Sequence, residues 1–66
     1  MKELQNYINT FGLRTSLKEL TSRAYWEMKA QGHEVCIIND RYLEIDGKTY
    51  FFSKSKKAGR WILKEI

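Results

Sequence analysis

The sequence predicts an α+β domain, with one or two N-terminal helices packed on a three- to four-stranded antiparallel β-meander. Three observations predict it. Apolar residues recur at helical spacing through the N-terminal half. After Gly32 the period switches to two. The breaks between the period-two segments are turn residues, too short to hold crossover helices. With 66 residues, the chain reads as a single domain over 1–66.

The elements follow in order. Leu4, Tyr7, Ile8 and Phe11 form one apolar stripe of a helix over about 3–11, which Gly12 can end. Ser16 followed by Glu19 is a capping-box pattern and starts a second helix near Leu17. Leu17, Leu20, Ala24 and Met28 continue its stripe to residue 31, and Gly32 supplies a left-handed cap. Strands are expected over 34–38, 42–46, 48–53 and 60–65. Asp46-Gly47 is a hairpin signal that sets Leu43 against Tyr50 and Ile45 against Lys48. A three-residue loop Asn39-Asp40-Arg41 sets Ile37 against Leu43. Ser53 to Gly59 reads as a long, mobile, basic hairpin loop.

Two faces carry apolar residues where polar ones are expected. On a helical wheel Trp26 falls opposite the Leu17 stripe. Either the first helix folds back to cover it, or it offers a surface to a partner or a second copy. With Val35, Ile37, Leu43, Ile45, Tyr50 and Phe52 pointing inward, Cys36, Ile38, Tyr42 and Phe51 point outward. That outer face is too apolar for water and calls for a cover. A second subunit is one cover; a nucleic-acid strand stacking its bases on Tyr42 and Phe51 is another.

Charge sharpens the second reading. Net charge is +4. Residues 33–46 carry Glu34, Asp40, Glu44 and Asp46 against Arg41 alone, whereas residues 48–64 carry Lys48, Lys54, Lys56, Lys57, Arg60 and Lys64 and no acid. Tyr50, Phe51, Phe52 and Trp61 interleave the basic run, as expected of a phosphate-backbone binder. The same lysines also serve to deter edge-to-edge aggregation, and the acidic hairpin could pair with them.

The sequence points away from catalysis, metal and cofactor chemistry. His33 and Cys36 are the only imidazole and thiol, and nothing orients either as a nucleophile, base or ligand pair. Glu44 and Asp46 share a strand face but sit beside a turn, as solvated charges and partners for Lys48. The four glycines are isolated and form no phosphate cradle. One cysteine precludes an internal disulfide. No apolar run approaches the ~20 residues of a membrane span, and the polar start lacks a signal-peptide core, so the expected setting is cytoplasmic.

The order helix, Gly32, short meander resembles the small HicA-type toxins that act on RNA. Those carry a histidine in the strand region, where this chain has Asn39-Asp40-Arg41-Tyr42, so the resemblance implies no ribonuclease activity here. The size and Lys/Glu/Ile-rich style resemble small proteins of phages and mobile elements.

The resulting expectation is a non-catalytic regulatory or accessory protein that binds DNA or RNA. Lys48, Lys54, Lys56, Lys57, Arg60 and Lys64 would contact phosphates, and Tyr42, Phe51 and Trp61 would stack or pack. The alternative is a protein-interaction module, a homodimer or a small inhibitor of a larger protein, using Trp26, Ile38, Tyr42 and Phe51. Neither reading involves a small-molecule substrate or a membrane.

Overall fold

The computed structural model describes residues 1–66 and places two helices on one face of a four-stranded antiparallel meander. The elements are α1 (Lys2–Ile8), α2 (Leu17–Ala30), β1 (Val35–Ile37), β2 (Tyr42–Ile45), β3 (Lys48–Ser55) and β4 (Arg60–Glu65), with strand order β1-β2-β3-β4.

Helix α2 begins where the capping pattern places it. The Ser16 hydroxyl accepts from the Glu19 N–H at 3.1 Å, satisfying one of the donors a helix leaves free. The helix ends in a Schellman motif: Gly32, at φ +92°, donates to the Lys29 carbonyl, and His33 donates to that of Met28. Helix α1 stops at Ile8, short of the expected Phe11 and Gly12. Thr10 and Phe11 donate instead to the carbonyls of Tyr7 and Ile8, and the Thr10 hydroxyl also takes the Tyr7 carbonyl at 2.7 Å. That local alternative ends the helix before glycine is needed. Phe11 still packs edge-on against Tyr7, with ring centroids 5.4 Å apart.

The strand registers are those the turns dictate. Ile37 pairs with Leu43, Leu43 with Tyr50, and Ile45 with Lys48. Asp46 (φ +51°) and Gly47 (φ +84°) form the two-residue turn, whose two positive φ values match the twist of the flanking strands. Asn39 accepts from the N–H groups of Arg41 and Tyr42, closing the β1–β2 loop. Strands β1 and β2 are each slightly shorter than expected, whereas β3 runs two residues further, to Ser55. Ser53, Lys54 and Ser55 pair with Ile62, Trp61 and Arg60. The long basic loop therefore contracts to a tight tip at residues 56–59, closed by the Gly59 N–H on the Ser55 carbonyl.

The core lies between the layers. Leu4, Ile8, Leu20, Ala24 and Met28 from the helices meet Leu43, Ile45, Tyr50, Phe52 and Trp61 from the sheet. Ile37 faces the same side but is 47% exposed, since β1 is an edge strand with a neighbour on one flank only. The other edge, β4, is clasped by α1. The Gln5 side chain donates to the Trp61 carbonyl at 3.0 Å and accepts from the Leu63 N–H at 2.7 Å, answering outward backbone groups of that strand. No helix is long and apolar enough to cross a membrane.

Candidate functional site

The outer sheet face has no covering element, because both helices pack on the other side. Strand alternation places Ile38, Tyr42, Phe51 and Lys64 in one row across it, since Tyr42 is the Cα partner of Phe51 and Phe51 that of Lys64. The Tyr42 and Phe51 rings lie 5.9 Å apart at 46°, both half-buried. Ile38, at the end of the row, is 54% exposed. Further along β3 and β4 the same face carries Ser53 beside Ile62, then Ser55 beside Arg60. Toward β1 it carries Cys36, Glu44 and Thr49.

The basic run does not form one patch. Arg60 and Lys64 stand on the outer face with the rings, and Lys57 is at the hairpin tip. Lys54 points to the opposite side, where its ammonium lies 5.6 Å from the Trp61 ring centroid. Lys56, in the tip, lines the same groove as Lys54. Lys48 opens β3 at the Asp46-Gly47 turn, about 23 Å from Ser55 at 3.3 Å per residue. Lys48 therefore belongs to neither group.

Trp61 corrects the sequence reading. It is only 5% exposed and part of the core, so its ring packs on the helix side and is not offered on the outer sheet face. In the run Trp61-Ile62-Leu63 pairing decides which side chains point in. Trp61 pairs with inward Lys54 and Leu63 with inward Phe52, leaving Ile62 outside. Ile62 is thus a member of the aromatic face that sequence reasoning missed.

Trp26 is 64% exposed on the solvent side of α2. Helix α1 packs on α2 but does not cover it, which overturns the fold-back reading. Its ring meets Tyr25 edge-on at 5.1 Å, with Lys29 over both rings. The four candidate interface residues therefore fall on two separate surfaces: Trp26 beyond the helical layer, and Ile38, Tyr42 and Phe51 beyond the sheet.

His33 sits partly exposed in the loop that follows α2. Its Nδ1 hydrogen-bonds the Asp46 carboxylate at 2.6 Å, while its Nε2 lies 3.6 Å from the Glu3 carboxylate, beyond hydrogen-bond distance. Asp46 also accepts from the Glu34 N–H at 3.1 Å. The His33 hydrogen bond, then that from Glu34, hold the Asp46 carboxyl below its usual range. Asp46 is thus a turn clamp rather than a partner for Lys48. No lysine or arginine pairs with a carboxylate, so the acidic hairpin leaves the basic one free. No three His, Cys, Asp or Glu side chains gather as a metal site.

No protein-family model, curated protein or solved structure matches the chain.

Proposed function

We propose that the protein is a non-catalytic accessory or regulatory module that binds single-stranded nucleic acid on the outer face of its sheet. One observation carries this reading: the adjacent Tyr42 and Phe51 rings on an uncovered face, with Lys64 beside Phe51 and Arg60 further along the same strand. Unstacked bases gain about 1–3 kcal/mol each on such rings, and cations along the row track the phosphates. A flat sheet reads splayed bases better than the edges of a closed duplex, which favours a single strand. Trp61 takes no part in stacking; Ile62 takes its place on the apolar floor.

Contacts from Lys57, Arg60 and Lys64 to three phosphates give a log–log salt slope of about −2. Affinity then falls about 20-fold between 50 and 200 mM salt. Fluorescence anisotropy with labelled single-stranded DNA and RNA measures this directly. F51A and K64Q each weaken binding at least fivefold, whereas K48Q, remote from the face, leaves it unchanged. No binding at 50 mM salt refutes the reading.

The exposure of Trp26 and Ile38 favours a second reading, a protein-interaction module that is a homodimer or grips a larger protein. Sedimentation across concentration separates the two: self-association abolished by W26A or F51A supports it, and a strict monomer that binds oligonucleotide opposes it.

A further inference from the structure

We propose that the groove between the α1–α2 loop and the β3–β4 hairpin, on the helix side of the sheet, binds a phosphomonoester carried on a planar or apolar body. The groove measures about 610 Å³. Arg14 reaches it from the loop, and Lys54 and Lys56 from the hairpin, three cations brought together from distant parts of the chain. None pairs with a carboxylate, and no acidic residue lines the groove. Like charges held in one concavity repel one another, and a dianion relieves that repulsion better than a singly charged group does.

The groove's other properties point the same way. Helix α2 starts at its rim, and the N–H groups of Leu17 and Lys18 make no hydrogen bond within the fold, adding donors to the positive end of a fourteen-residue helix. Independently, Trp61 forms part of the wall, and its Nε1–H is the only buried side-chain polar atom without a partner. Buried donors are ordinarily satisfied. The volume also exceeds what a bare phosphate fills, falling in the ~300–1,000 Å³ range of organic-ligand sites. Leu13, Leu17 and Trp61 supply apolar wall beside Thr15 and Ser16.

A free mononucleotide and the 5′-phosphorylated end of a nucleic-acid strand present this same chemistry; the second source rests on the reading of the sheet given above, the first does not. Trp61 reports occupancy. W26F removes the exposed tryptophan and leaves Trp61 as the only indole. In this full-length variant, AMP produces a saturable change in Trp61 emission, at a concentration at least tenfold below that needed with inorganic phosphate or adenosine. R14Q and K56Q, both substitutions of exposed side chains, each raise the half-saturation point at least tenfold while the circular dichroism spectrum is retained. In parallel, oligonucleotides of one sequence with 5′-phosphate or 5′-hydroxyl ends are compared by anisotropy. A gain from the 5′-phosphate that disappears in R14Q assigns the strand end; a response to AMP without that gain assigns the free nucleotide. No saturable response to AMP, an equal response to adenosine, or a response surviving both R14Q and K56Q overturns the site. Because F51A tests the sheet separately, 5′-hydroxyl strands that bind through Phe51 with no AMP response leave the sheet reading standing and remove only the groove.

Discussion

Phe51 and Phe52 are adjacent and chemically identical, yet the fold gives them opposite environments, so one pair of substitutions tests both register and face. Phe52 is 3% exposed in the core between Leu43, Trp61 and the helices. Truncation to alanine removes its transfer free energy and leaves a cavity, a loss of about 3–5 kcal/mol. Phe51 is half-buried on the open face, where its principal partner is the Tyr42 ring. Losing that cross-strand pair costs about 0.2–1 kcal/mol. A 66-residue domain has a total stability of about 3–10 kcal/mol at the usual 0.05–0.15 kcal/mol per residue. F52A therefore consumes most of the margin, and F51A little of it. Urea unfolding followed by circular dichroism reads the difference, since a slope of about 1 kcal/mol/M converts these losses to midpoint shifts of about 3–5 M and at most 1 M. F52L, which keeps most of the volume, retains a measurable transition with a loss of about 1.5 kcal/mol or less. Equal losses, or a greater loss for F51A, would mean that the sheet is slipped by one residue or its outer face is covered, and the functional reading would fall with it.

Two further outcomes follow from local geometry. G32A places a Cβ at φ +92° and lowers stability by about 1–2 kcal/mol, seen as a drop of about 4–16 °C in Tm, although no neighbouring atom is close enough to clash. Because the folded state lowers the Asp46 pKa below 3.8, the clamp's contribution is full above the unfolded value and is lost as pH falls through the lowered folded one. Urea midpoints of the native protein therefore decline between pH 5 and pH 2, D46N lacks that component, and identical pH profiles for the two proteins would refute the clamp.

The sequence made legible whatever is governed by local rules. Capping by Ser16 and Gly32, and the Asp46-Gly47 turn, each depend on a handful of neighbouring residues, and strand alternation then carries the register from β1 to β3. The end of α1 was harder to read, because the Thr10 hydroxyl competes for a carbonyl that the helical stripe alone assigns to a continuing helix. The extension of β3 through Lys54 and Ser55 was hidden by poor strand formers, whose placement is set by Trp61 and Arg60 across the ladder. Trp61 itself lies in an apolar run without alternation, so only pairing tells its face. The meeting of Arg14 with Lys56, and of His33 with Asp46, joins distant segments of chain that no local pattern connects.

How a partner could approach is constrained by the sheet's edges as much as by its face. Strand β1 offers three residues, and the open edge of β4 is partly occupied by the Gln5 amide. Little unpaired backbone is left for adding a strand, so the available contact is side-chain contact on the face. That face is electrostatically graded: Glu44 stands toward β1, with Asp40 in the adjoining loop, and Lys64 and Arg60 stand on β4. A polyanion crossing all four strands would meet those carboxylates. One running along the β3–β4 ladder meets Lys64, Ile62 and Arg60 in turn and reaches the tip at Lys57. If the proposed reading holds, a nucleic-acid strand would run parallel to the hairpin, with one or two bases over Tyr42 and Phe51 and the following phosphates toward the tip.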